Sequence, residues 1–149
     1  MYLKQIYSEI YNEPFDYFDL DKRSKLKNAV YLLEVMGLNI GDYSFSWLQD
    51  GISSLCLDGD AFYSMSNDPN EEAKFSKYAK ERFEKLKEFK LQRKAYDEKT
   101  WMDCIASIHF LKNICHYNKN DIFSVLHKQK PYLNLAEENE CAYNIVKEI

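Results

Sequence analysis

Apolar residues recur at helical spacing along most of the chain. Leu3, Ile6, Tyr7 and Ile10 share one face of a first segment over residues 2–11, and Asn12-Glu13-Pro14 ends it because proline cannot continue a helix. Leu26, Ala29, Val30, Leu33 and Met36 form the stripe of a second helix. Asp21 or Ser24 is its expected cap, and Gly37 its expected end, since glycine tolerates the left-handed conformation. Between residues 39 and 68 the period changes. Tyr43, Phe45 and Trp47 alternate with Asp42, Ser44 and Ser46, which predicts a short strand, and Gln49-Asp50-Gly51 predicts a turn. A short helix is expected over 53–57. Asp58-Gly59-Asp60 with Ala61-Phe62-Tyr63 fits either a hairpin or a single helical turn, and Ser66-Asn67-Asp68-Pro69-Asn70 reads as a loop.

Beyond that loop the helical period returns. From residue 71 to about 90, Phe75, Tyr78, Ala79, Phe83, Leu86 and Phe89 occupy an arc of roughly 140°, with the charges outside it. Trp101, Cys104, Ile105, Ile108, Leu111 and Cys115 repeat the pattern. Ile122, Val125 and Leu126 do so in a shorter piece with Asn120 or Asp121 as its cap and Lys130-Pro131 as its end. Leu135, Ala142, Ile145, Val146 and Ile149 mark a last face. The expected fold is mainly α, a compact multi-helix single domain over residues 1–149 with short strands or a hairpin between residues 43 and 63.

Composition changes this picture in one respect. Apolar residues at 46% and charged residues at 30% are ordinary for a globular domain, but twelve Tyr and nine Phe dominate the apolar inventory. So many rings imply a thick core or an adhesive surface. A net charge of −4 gives no surplus of cations with which to displace counterions from a nucleic acid, so nucleic-acid binding is disfavoured. Uncharged runs such as 29–33 and 104–111 fall far short of the roughly 20 apolar residues of a membrane span, and the first residues lack a signal-peptide pattern. A cytoplasmic location is expected, with Cys56, Cys104, Cys115 and Cys141 as reduced core thiols.

Spacing then removes several chemistries. Metal sites need closely placed donors, whereas His109 and His116 are seven residues apart and Cys104 and Cys115 eleven apart, so no metal ligand is assigned and the histidines are expected at the surface or in caps. Cys115 and His116 are adjacent, and neighbours on a helix face about 100° apart, which defeats a nucleophile–base pair. No serine elbow, phosphate loop or dinucleotide fingerprint occurs, and the Arg–His spacing of HEPN-type ribonucleases is missing before His109, His116 and His127. Asp50, Asp58 and Asp60 could gather carboxylates, but an Asp beside Gly is the ordinary composition of a tight turn, which is the expected role. The Lys-rich stretch over 74–94 carries Glu81, Glu84 and Glu88 among its cations, as a solvated helix face does. No catalytic residue and no cofactor is assigned.

Two segments carry a family likeness. Lys25-Leu26-Lys27-Asn28-Ala29-Val30-Tyr31-Leu32-Leu33 is followed, after Gly37, by Tyr43-x-Phe45-x-Trp47 and a glycine turn. Trp101-x-x-Cys104-Ile105-Ala106-Ser107-Ile108-His109-Phe110-Leu111 is followed by residues 121–126 and then Lys130-Pro131. In content and order these resemble the Panacea antitoxin domain and the related phage-associated proteins of the YwgA type, with their K-L-x-K-x-x-Y helix, G-P-Y-S loop and K-P junction. The loop here reads Gly51-Ile52-Ser53-Ser54, keeping the glycine and final serine and losing the proline and the ring. The resemblance implies a noncatalytic protein-binding module of a mobile genetic element, with a partner such as a toxin encoded by a neighbouring gene, no membrane and a homodimer left open. Its expected partner-binding residues are Tyr43, Phe45, Trp47, Gly51 and Ser54, although Tyr31 and the three aromatics of the strand also suit core positions. Two other classes stay open: a hydrolase or nuclease built from Asp58, Asp60 and His109 or His116, and a winged-helix-like nucleic-acid regulator, which would need a concentrated basic face.

Overall fold

Helix starts in this chain are set by side chains that take up the free amides of a first turn. The computed structural model describes residues 2–48, 51–66 and 74–149. Asp19 accepts from the backbone N–H groups of Asp21 and Lys22 and opens α2 (Leu20–Val35). Ser54, Ser76, Asp97 and Asn118 do the same for α3 (Leu55–Ser64), α4 (Lys77–Leu91), α5 (Glu98–His109) and α6 (Lys119–Gln129). With α1 (Leu3–Tyr11) and α7 (Ala136–Val146) there are seven α-helices among the described residues. No helix among these residues is long and apolar enough to cross a membrane.

Two of these caps correct the sequence expectation. Asp19 caps α2 in place of Asp21 or Ser24, because Asp19 has the extended backbone a cap requires while Asp21 already lies in the first turn. Asn118 caps α6 in place of Asn120 or Asp121; the left-handed backbone of His116 reverses the chain just before it. The stretch 58–63, which fits a hairpin or a single helical turn by sequence, is helical and part of α3. Asp58-Gly59-Asp60 is therefore helical and not a tight turn. A helical glycine costs about 1 kcal/mol, which burial of Leu57 and Ala61 on either side outweighs. The helix expected from residue 71 begins at Lys77; Asp50, residues 67–70 of the expected loop, the start of that helix and most of the Gln49-Asp50-Gly51 turn lie outside the described residues.

The core is built around two helices. α2 packs on α5, with α1, α3 and α4 set against α2 and α7 against α5. Trp101, Met102, Cys104, Ile105, Ala106 and Ile108 are all buried, so α5 is covered on every side. It passes into a single π-helical turn (Phe110–Ile114), where the Cys115 N–H reaches the Phe110 carbonyl. β1 (Ser46–Leu48) and β2 (Gly51–Ser53) form an antiparallel hairpin with Trp47 opposite Ile52 and Leu48 opposite Gly51. Side chains alternate between half-buried and exposed from Tyr43 to Leu48, as the sequence pattern predicts, although ladder pairing starts only at Ser46.

Candidate functional site

Leu20 and Leu55 are the least expected side chains on the surface. They are 70% and 86% exposed, and both line a groove of about 840 Å³. One wall is the first two turns of α2, with Arg23, Ser24 and Lys27. The lining also includes Ser53, Ser54 and the start of α3, and Lys99, Thr100 and Asp103 of α5 with Lys130 and Tyr132. Leu26, Leu57 and Ala61, all buried, supply an apolar base. The apolar rim continues outward: Phe18 and Phe62, 70% and 54% exposed, meet edge to face at 6.3 Å, and the Tyr17 ring lies 5.2 Å from that of Phe62. Tyr17 in turn donates to the Asp58 carboxylate at 3.0 Å.

Lys130 is only 3% exposed. Its ammonium donates to Asp103 Oδ1 at 2.6 Å and lies 5.5 Å from the Trp47 ring. The same carboxylate accepts from Tyr132 at 2.5 Å and from Ser107 at 3.0 Å, so Asp103 is well satisfied although largely buried. Gly51 permits this arrangement twice over. Its φ is +100°, and a Cβ there would lie 2.7 Å from Lys130 Cε. The glycine of the loop is thus explained by the lysine of the Lys130-Pro131 junction. The Lys130 ammonium is a donor group, which suits it to hold an acceptor.

The residues expected to bind a partner lie behind or beside this groove. Tyr43 is half-buried and donates to Asp60 at 2.9 Å. Phe45 packs edge to face on Tyr31 at 5.2 Å, and Trp47 stacks on Phe110 at 5.9 Å while its indole N–H donates to Gln129 at 2.6 Å. Gly51 is buried against Lys130, and Ser54 lines the groove while its hydroxyl accepts from the Leu57 N–H. Of the five, Ser54 alone borders the cavity. Leu20, Arg23 and Leu55 border it too, and the sequence reasoning missed them. A signal was present for one of them: Leu20, like Phe18, stands among Asp16, Asp19 and Asp21 and off the stripe of α2.

The other candidate constellations are not assembled. Asp58 and Asp60 each accept a tyrosine hydroxyl, from Tyr17 and Tyr43. His109, expected at the surface or in a cap, is 4% exposed and held in the core. Its Nδ1 pairs with Tyr31 at 2.7 Å and its Nε2 with Asn113 at 3.0 Å. His116 is exposed with φ +60°, so the adjacent Cys115 and His116 do not share a helix at all. Of the four free cysteines only Cys104 is a core thiol; Cys56 is exposed on α3, and Cys115 and Cys141 are half-buried. No group of three or more His, Cys, Asp or Glu among the described residues could hold a metal ion. On α4 the exposed face mixes Lys77, Lys80 and Lys85 with Glu81, Glu84 and Glu88, as expected for a solvated helix. Comparison with family models, curated proteins and solved structures returns no match.

Proposed function

We propose that this chain is a noncatalytic protein-binding module that seats a partner polypeptide in the groove between α2 and α3. One observation supports this above the others: the segments that resemble the Panacea domain meet there. Leu26 and Lys27 of the first segment, Ser53 and Ser54 of the glycine loop, Asp103 of the tryptophan helix and Lys130 of the K-P junction all line one cavity. Exposed leucines at its mouth are what an apolar partner residue would cover, and buried apolar contact of this kind supplies most of the energy at protein interfaces. An antitoxin role follows from the resemblance, the partner being a toxin encoded by a neighbouring gene.

Coexpression with the product of the adjacent gene tests this. The expected result is a complex that survives purification at micromolar concentration and is lost in the Leu20→Asp/Leu55→Asp double variant while circular dichroism remains that of the parent. Absence of any association would remove the antitoxin role. Association indifferent to the double variant would move the interface away from the groove.

A further inference from the structure

Charge within the groove singles out one residue. The lining holds Arg23, Lys27, Lys99 and Lys130 against Asp21, Asp58 and Asp103, an excess of one positive charge on a chain whose net charge is −4. Each of the three carboxylates already has a partner. Asp21 pairs with Lys99 at 3.0 Å, Asp103 with Lys130 at 2.6 Å, and Asp58 accepts from Tyr17. Arg23 has no carboxylate partner among the described residues.

Its guanidinium is nevertheless fixed. Nε donates to the Tyr17 carbonyl at 3.0 Å, and Cζ lies 3.7 Å from the centroid of the Tyr17 ring. Tyr17 is itself held, through its hydroxyl by Asp58 and through its ring by Phe62. An arginine stacked and anchored through Nε has lost its rotamer freedom before any ligand arrives, and its two terminal nitrogens keep the fork geometry that fits a carboxylate. Leu20 and Leu55 line the same groove, as do the buried Leu26, Leu57 and Ala61.

We infer that the groove binds a polypeptide segment in which an Asp or Glu accompanies a large apolar side chain, Arg23 holding the carboxylate and Leu20 and Leu55 enclosing the apolar group. This rests on the protein-binding role proposed above and adds the chemistry of the partner. Acidic character in the partner is what a local cationic site on an acidic protein selects, because like-charged segments are repelled by the remaining surface.

Random dodecapeptides displayed on phage and panned against the full-length protein provide the probe. Recovered peptides are expected to carry Asp or Glu within about four residues of Leu, Ile, Phe or Trp, a spacing that puts both side chains on one face of a helical peptide. For a synthetic fluorescent copy, changing that acid to its amide should weaken binding about tenfold or more, the loss expected for a charge-assisted bidentate pair. Arg23→Glu should weaken it similarly and regain affinity when the peptide acid becomes Lys, a reversal that misfolding cannot produce. Leu55→Asp should also abolish binding. Three outcomes overturn the inference: recovered peptides without acids, acids replaceable without loss, or binding of a labelled single-stranded oligonucleotide at Arg23 with no peptide recovered. If the adjacent gene's product still copurifies and ignores Arg23→Glu, the carboxylate anchor falls while the protein-binding role stands.

Discussion

At the scale of the residue, two buried ionisable groups act in opposite directions on stability. Burial pushes the His109 imidazole down to about 4, with the nearby Lys112 adding to the effect. One tautomer satisfies its contacts. Nδ1–H donates to the Tyr31 oxygen, and Nε2 accepts from the Asn113 amide, whose own carbonyl accepts from Lys112. A second proton would set two donors against each other at Nε2. Burial likewise lifts the Glu34 carboxyl to about 7, and its Oε1 is buried without a hydrogen-bond partner. The signs follow from linkage. Between pH 4 and 6.5 the unfolded chain binds a proton at His109 that the native state refuses, so this residue's contribution is complete above pH 6.5 and is lost as pH falls. Between pH 4.5 and 7 the native state holds a proton on Glu34 that the unfolded chain releases, so its contribution is present below pH 4.5 and is lost as pH rises. Over pH 5–6 the two cancel. The urea midpoint of the parent should therefore show little slope from this pair, whereas Glu34→Gln should unmask a rise of about 1.4 kcal/mol per pH unit and His109→Asn a fall. Parallel profiles for the parent and both variants would refute this.

At the scale of the element, the sequence foretold what depends on local pattern and missed what depends on neighbours. The faces of α1, α4 and α5 were legible because Ile6, Phe83 and Ile108 recur at one period and are buried accordingly. The Tyr43-Phe45-Trp47 alternation was legible for the same reason. The start of α3 was legible as a short helix over 53–57 but its extension to Ser64 was not, since Asp-Gly-Asp is turn chemistry in isolation and is helical here with Ser54 capping the helix and Tyr17 and Tyr43 taking up Asp58 and Asp60. Those tyrosines come from 41 and 17 residues away, beyond any local window. The groove was hidden likewise, because its lining comes from α2, α3, α5 and the segment after α6, which only the fold brings together. Gly51 shows both sides. It was picked out as a turn glycine, but its close approach to Lys130 is a tertiary fact. Gly51→Ala combines left-handed strain with displacement of a buried ammonium from Asp103, and should cost about 2–3 kcal/mol in urea unfolding. A variant as stable as the parent would show that the hairpin rearranges freely around Lys130.

At the scale of the whole molecule, the fold is stabilised by side chains that do not line the groove, although they brace α5 and the segment after α6, which carry part of its lining. The loop between α4 and α5 is held by the far end of the chain. Glu138, buried in the first turn of α7, accepts from the backbone N–H groups of Ala95 and Tyr96, the latter at 2.8 Å. Next to it, Asn139 accepts from the Tyr96 hydroxyl at 2.8 Å and from the Cys104 thiol at 3.3 Å, and donates to the Leu133 carbonyl at 3.0 Å. The clasp joins α5, α7 and the turn that carries Lys130 and Tyr132. Removing its carboxylate leaves the buried Tyr96 amide without its acceptor, so Glu138→Ala should lose about 2 kcal/mol, with an unchanged dependence on urea concentration. Exchange of the Tyr96 amide hydrogen should accelerate along with it. Leu20→Asp/Leu55→Asp, by contrast, replaces side chains already in solvent and should shift stability by no more than about 0.5 kcal/mol while abolishing partner binding. If the groove variant unfolded as easily as the clasp variant, Leu20 and Leu55 would belong to the fold and not to the docking surface.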